Sequence, residues 1–264
     1  EAKSMEYKNI IVEHIDRVAL IKFNAPEVLN ALSTSMVTEF SHAVSQVADN
    51  EARCLLLTGE GRAFCAGANL QDRGGDGGSS PAAGSALEAY YHPVINKLRH
   101  LEIPMVSAVN GAAVGVGMSF AIMADIVVAG RSAYFLQAFA NIGLVPDGGA
   151  TFYLPRMIGW RRAMELSLLA ERLPAEKALD WGLVSRVVDD DQLMPEALNI
   201  ANRLANGPKS LGMIREAYWE SPGNSMAEQL QLEADLQARA GQTADHREGV
   251  RAFLEKRKAK FTGK

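Results

Sequence analysis

The chain has 264 residues, of which 48% are hydrophobic, 22% charged and 7% aromatic, proportions that exclude disordered, collagen-like and coiled-coil classes. A chain of this length buries roughly three quarters of its unfolded surface, so neither a metal nor a disulfide is needed to hold a core. The formal net charge of −4 argues against a broad electrostatic footprint for nucleic acid or for an anionic membrane.

Glu1-Ala2-Lys3-Ser4-Met5 shows no basic stretch followed by an apolar one, so no secretory signal is read and a cytoplasmic location is expected. Tyr7 to Val12 and Val18 to Phe23 read as a strand pair turning at Asp16 and Arg17. Ser33 is placed to N-cap a helix that reaches Val47 through Met36, Phe40 and Ala43. Cys54 to Thr58 is a continuous apolar strand, and continuity rather than alternation predicts burial on both faces and a parallel sheet. Gly74 to Gly84, rich in Gly, Ser, Ala and Pro, reads as a mobile loop. A helix over Leu87 to His100 is expected to kink at Pro93. Met105 to Val109 and Asp125 to Ala129 repeat the buried-strand pattern, and Leu183 to Val188 is the last strand. Helices then dominate, over Asp191 to Ala205, Lys209 to Trp219, Met226 to Ala240 and Asp245 to Lys258. Leu230, Leu232, Leu236 and Ala240 form an apolar face that must pack on the core or on another subunit. The reading is an α/β core over residues 1–190 with a helical subdomain over 191–264, and no internal repeat is detected. The longest apolar run, Ala112 to Ala124, is too short to span a bilayer.

Three stretches carry the chemistry. Cys65-Ala66-Gly67-Ala68-Asn69-Leu70 follows a buried strand, and its small residues let the backbone approach a ligand. Asn110-Gly111-Ala112-Ala113-Val114-Gly115-Val116-Gly117 also follows a buried strand and opens a helix, whose first N–H groups are unpaired. Neither spacing is GxGxxG or GxxxxGK[ST], so dinucleotide and P-loop readings fail. Each run alone is explained by a tight helix–strand contact; side by side they could aim two N–H donors at one oxygen. The third stretch is Ile142-Gly143-Leu144-Val145-Pro146-Asp147-Gly148-Gly149. Asp147 reads either as a turn former or as a carboxylate desolvated among Phe139, Leu144 and Phe152. Desolvation raises proton affinity and makes such a group a usable base near neutral pH.

The chain resembles the crotonase, or enoyl-CoA hydratase/isomerase, family from the Ala25-Pro26-Glu27-Val28-Leu29-Asn30-Ala31-Leu32 loop to the last helix. The motifs that carry the resemblance are Ala63-Phe64-Cys65-Ala66-Gly67-Ala68-Asn69-Leu70, Ala108-Val109-Asn110-Gly111, Gly143-Leu144-Val145-Pro146-Asp147-Gly148-Gly149 and the tail from Arg247 to Arg257. The resemblance implies a spiral of ββα repeats with a helical trimerisation region, assembled as homotrimers or dimers of trimers. It implies an acyl-CoA substrate whose thioester oxygen lies between the N–H groups of Ala68 and Val116. It places Val28, Ala66, Gly67, Asn69, Leu70, Gly115 and Phe139 along the substrate, with Phe253 and Lys256 reaching a CoA, often that of a neighbouring subunit. Coenzyme A enters as part of the substrate; no separate cofactor and no metal are implied.

Two departures direct the reading. Hydratases of the family use two glutamates, and the motif-matched positions here are Ser119 and Phe139. Asp147 matches instead the acid of the enoyl-CoA isomerases, including those of phenylacetate degradation. The expected reaction is a double-bond shift from 3-enoyl-CoA to 2-enoyl-CoA, or rearrangement of epoxidised phenylacetyl-CoA, through an enolate. Hydration by Asp147 with water on Ser119, and a non-catalytic acyl-CoA- or RNA-binding role, are the alternatives. Lys256-Arg257-Lys258-Lys260, the basic cluster an RNA reading would use, is more simply a solvated helix end. Glu27, where many members carry a basic residue, is expected to point away from the CoA channel. Cys54 and Cys65, the two cysteines of the chain, lack metal-site spacing, and Cys65 has no histidine partner for a nucleophilic role. His92 follows Tyr90-Tyr91 on the helix expected to cover the acyl pocket; Trp160, Trp181 and Trp219 read as core or subunit contacts.

Overall fold

The computed structural model describes residues 7–49, 51–70 and 83–264. The chain begins with an antiparallel hairpin of β1 (Ile10–Ile15) and β2 (Val18–Phe23). Asp16 turns it in the left-handed region at φ 52°, which a short polar side chain tolerates. β1 starts later than expected because Lys8 and Asn9 donate their N–H groups to the Glu39 carboxylate. α1 (Thr34–Asp49) carries that glutamate, and Ser33 caps it as expected, its Oγ accepting from Met36 N at 3.1 Å.

β3 (Cys54–Gly59) is buried at every position and leads into β4 (Ala63–Cys65). α2 (Ala83–Ala86) continues through a π turn over Leu87–Tyr91 into α3 (His92–Arg99). The kink expected at Pro93 is absorbed there: His92 N donates to Leu87 O, five residues back. Pro93 then falls in the first turn of α3, where its missing N–H leaves no bond unmade. Next come β5 (Met105–Val109), β6 (Ala112–Val114) and α4 (Val116–Ile122), then β7 (Ile126–Gly130) and β8 (Tyr134–Leu136). α5 (Ala150–Ile158) and α6 (Trp160–Leu169) break at Gly159. β9 (Leu173–Pro174), α7 (Ala175–Asp180) and β10 (Arg186–Val188) complete the strands. The strand expected from Leu183 is shorter, because Leu183 and Val184 donate to the Ala178 carbonyl in the turn that ends α7. α8 (Leu193–Ala205), α9 (Ser210–Glu220), α10 (Met226–Gly241) and α11 (Ala244–Leu254) follow.

Among the described residues six strands form one sheet in the order β1-β2-β3-β5-β7-β10, and four form a second in the order β4-β6-β8-β9. β3, β5 and β7 are parallel neighbours in the first; β4, β6 and β8 are parallel neighbours in the second. Each strand–turn–strand unit therefore lays one strand in each sheet, and the chain advances as a spiral. The expected spiral is present, and so is the repeat that the residues did not disclose. Its second strands, β4, β6 and β8, are only three residues long, too short for any periodicity to register.

The parallel strands are covered on both sides, as their unbroken apolar runs require. On one side Phe23, Phe40, Phe64 and Phe120 pack ring to ring, with centroids 5.1 to 6.4 Å apart. On the other, Ala197, Ile200, Ala201 and Ala205 of α8 lie against Leu20, Leu56, Val106 and Val128. α8, though beyond residue 190, thus closes the outer face of the sheet. α9 is fastened by Arg215, a buried side chain whose guanidinium donates to the carbonyls of Leu98, Arg99 and Leu101 and to Asp125. Asp125 also accepts from Met105 N and Trp219 Nε1. On α10, Leu236 is buried whereas Leu230 is exposed together with Phe253 and Leu254 of α11.

α11 ends at Leu254 rather than at Lys258, since Lys256 takes a left-handed φ of 55°. The tail beyond it folds back onto Asp245, whose buried carboxylate accepts from Lys209 N, Thr262 N and Gly263 N. Burial opposes the charge, but these donors and the Arg53 guanidinium outweigh it and hold the carboxyl below the usual range. Among the described residues no helix is long and apolar enough to cross a membrane.

Arg215→Met leaves Asp125 and three carbonyls short of a donor, and about 3 kcal/mol of stability should be lost in urea unfolding. A depressed folded-state carboxyl stabilises above the unfolded value of about 3.9, and that contribution disappears as pH falls through the folded value. Asp245→Asn should therefore lower Tm at pH 7, while the further drop in Tm between pH 7 and pH 3 becomes smaller than in the unsubstituted protein.

Candidate active site

Two connections meet beyond the carboxyl ends of β3 and β5, and glycine is what lets them touch. A Cβ on Gly111 would lie 2.1 Å from Arg62 O, and one on Gly117 would lie 2.5 Å from Cys65 O. Gly67, at φ 92°, faces the Val114 carbonyl at 2.9 Å by the same measure. Any side chain at these positions would separate the two connections by at least a methyl group.

The first connection is locked to residues 29–32. Ala66 N donates to Leu29 O, Leu32 N to Gly67 O and Asn69 N to Leu32 O, at 3.0, 2.7 and 2.9 Å. Successive N–H groups of extended backbone point to opposite sides, so the Ala68 N–H is directed away from Leu32. The second connection ends at Gly115 (φ 54°, ψ −127°), which precedes α4 without any side-chain cap. Gly115 N is used by Leu136 O, and Ser119 N by Gly115 O. The N–H groups of Val116, Gly117 and Met118 stand in the first turn without intrahelical acceptors. Every residue of α4 is buried, so the positive end of its dipole is little screened by water. Ala68 and Val116 are thus carried on adjoining connections.

The acid arrives from a third segment. A 3-10 turn over Ala138–Ile142 places the buried Phe139 ring 3.5 Å from the Cβ position of Gly115. Gly148 and Gly149 then take φ of 64° and 80°, and the chain folds back onto α4. A Cβ on Gly148 would lie 2.7 Å from Ser119 Cβ and 3.2 Å from Val116 Cγ2. Ser119 Oγ donates to the Asp147 carbonyl at 3.1 Å, and Ala150 N donates to the same oxygen at 3.1 Å. Asp147 Oδ1 is shielded from solvent. Asp147 therefore forms the turn, and the residue as a whole is half-buried. Of the expected apolar surroundings, Phe139 is buried and Phe152 half-buried, but Leu144 is exposed, because the left-handed Gly143 swings the following residues outward.

The remaining candidates divide by position. Ala66 and Asn69 are half-buried, and Val28 and Leu70 are exposed beside the two connections. Glu27 is exposed. Phe253 and Lys256 are not brought to Ala68 and Val116 within one chain. Asp245, in the first turn of α11, is tied through Arg53 to the amino end of β3, opposite to Gly59 and Asn110. Cys65 is fully buried, and burial pushes its thiol up to about 12, so it stays protonated at neutral pH. His92 is exposed, whereas Trp219 is held by Asp125. The loop expected over Gly74 to Gly84 lies, up to residue 82, outside the described residues. Among the described residues no group of three or more His, Cys, Asp or Glu could hold a metal ion.

Two residues to which the residue pattern assigned no role support the site. Asn30 is completely buried; its side chain accepts from Ala25 N and donates to the carbonyls of Glu60 and Ala63. Asn110 donates to Gly61 O and Ala63 O. Both are amides beside left-handed or glycine positions, where asparagine commonly completes a turn, and that was the one available signal.

The enoyl-CoA hydratase/isomerase family matches residues 13–264. The chain is 45% identical over 258 residues to the 1,2-epoxyphenylacetyl-CoA isomerase of Escherichia coli (strain K12), a match covering 96% of this chain and 98% of that one. It is 42% identical to a Rhodobacter capsulatus protein named "Probable enoyl-CoA hydratase", covering 98% of this chain and 100% of that one. The crystal structure of the enoyl-CoA hydratase of Bacillus anthracis superposes with a TM-score of 0.91 at 30% identity, covering 97% of this chain and 100% of that one. Fold, motif order and near-complete coverage agree, and the chain belongs to the enoyl-CoA hydratase/isomerase, or crotonase, family.

Proposed function

We propose that the protein is an acyl-CoA isomerase that moves a double bond from the 3,4 to the 2,3 position, or rearranges the ring epoxide of phenylacetyl-CoA to its seven-membered oxepin form. The observation that carries this reading is an acid, Asp147, with one carboxyl oxygen shielded from solvent, on a turn packed against α4, while Ser119 and Phe139 stand at the positions that the resemblance matches to the glutamates of hydratases. The similarity to the E. coli isomerase supports it.

In this reading the thioester oxygen sits between Ala68 N–H and Val116 N–H. Asp147 removes a proton from C2; the electron pair moves onto the oxygen, and both donors bind that enolate more strongly than the neutral carbonyl. One such donor is worth about 3–4 kcal/mol. The same carboxyl then returns the proton at C4, on the same face of the allylic unit, so no water is consumed. Coenzyme A enters with the substrate and leaves with the product, and no metal or separate cofactor takes part. Assembly as a trimer or a dimer of trimers would bring Phe253 and Lys256 of one subunit to the CoA of another, and the exposed Leu230, Phe253 and Leu254 supply apolar surface for it.

Asp147→Asn should lower kcat for 3-enoyl-CoA and for epoxidised phenylacetyl-CoA by about 10²-fold or more, the usual contribution of a general acid–base. A loss below about tenfold would remove Asp147 from the centre of the chemistry. Should the unsubstituted enzyme hydrate 2-enoyl-CoA faster than it isomerises 3-enoyl-CoA, the hydratase reading would take its place.

A further inference from the structure

We infer that Ser119 is a positioning residue that holds the turn bearing Asp147 in register with the N–H end of α4. The inference rests on the isomerase reading above and adds what keeps its acid in place.

A buried serine on a helix ordinarily bonds back to the carbonyl four residues earlier. Ser119 does not. It is completely buried, and its hydroxyl leaves the helix to donate to Asp147 O at 3.1 Å, while Gly115 O is occupied by Ser119 N. Ala150 N also donates to Asp147 O, but it opens α5 only three residues along the same segment and so shapes the turn locally. Ser119 supplies a tie to another element. Val116 and Ser119 are three residues apart and share one face of α4, and Gly148 rests on both side chains. The donor that receives negative charge and the backbone of the residue that moves the proton are therefore referred to one short buried helix. Misplacement of a reacting group by about 1 Å can cost about 10²-fold in rate, so this common reference has direct kinetic weight.

The contact also bears on the reaction not taken. A Cβ on Gly148 would lie 2.7 Å from Ser119 Cβ and 2.8 Å from its Oγ, so the turn packs directly on this serine and a substituent at 148 must push the two apart. The position that the resemblance matches to a hydratase acid here buttresses the turn of a different acid.

The test is steady-state kinetics and thermal unfolding of Ser119→Ala, Ser119→Glu, Gly148→Ala and Asp147→Asn with 3-enoyl-CoA and 2-enoyl-CoA. Ser119→Ala should lower kcat about tenfold with KM within about twofold. Tm should be nearly unchanged. Gly148→Ala, which pushes the same turn from the other side, should lower kcat at least as much. Ser119→Glu, whose carboxylate has no hydrogen to donate to Asp147 O, should lower kcat for isomerisation at least as much as Ser119→Ala. Unchanged kcat in Ser119→Ala, beside an inactive Asp147→Asn, would overturn the positioning role and leave the isomerase reading standing. A parallel collapse of kcat, KM and Tm in Ser119→Ala would reduce Ser119 to a general stabilising role. Asp147→Asn with full activity would defeat the isomerase reading itself, and the inference with it.

Discussion

The backbone contact between the segment running from β3 through β4 and the segment running from β5 through β6 is the constraint on which the rest depends. Gly111 against Arg62, Gly117 against Cys65 and Gly67 against Val114 bring two main chains together with no side chain between them. Adjacent β4 and β6 need this closeness to pair, and the spiral could not advance with wider spacing. The same closeness puts Ala68 and Val116 on adjoining segments of main chain. Architecture and chemistry here have one cause: small residues at a strand–helix junction.

From that contact the electrostatics follow. α4 is short, and its dipole would count for little in water. It is buried along its whole length and uncapped, so its first-turn N–H groups face a region of low dielectric, where a partial charge acts strongly. The acid-bearing turn is laid on the flank of this helix by two successive left-handed glycines, which only residues without a Cβ adopt easily. Cys65 shows the opposite consequence of burial. It adjoins the same contact, and burial raises its proton affinity and leaves it an inert thiol.

Whereas α8 lays an apolar face on the sheet, the helices after it are fastened to the spiral by polar anchors at Arg215 and Asp245. Arg215 gathers the end of α3, its guanidinium paired with Asp125. Asp245 gathers the tail and the start of α9. Anchoring of this kind is directional: it sets where the helices lie while leaving Leu230, Phe253 and Leu254 uncovered in a single chain.

Much of this was legible in the amino-acid sequence. The buried parallel strands were visible because both faces are covered and their residues are unbroken apolar runs. β2 and β5 begin and end where the pattern placed them, and the Ser33 cap is local chemistry that needs no tertiary partner. The motifs around Ala68, Val116 and Asp147 likewise announced a family. The second sheet was invisible, because three-residue strands have no period and owe their existence to neighbours far along the chain. Asp147 could be read two ways because the surroundings of a carboxylate depend on what its turn packs against, and that is Ser119 and Val116 on another element. Local propensity and patterning determined the strands, the caps and the candidate residues. Only the tertiary structure decided which of them meet, since close approach is a property of two segments and is written in neither alone.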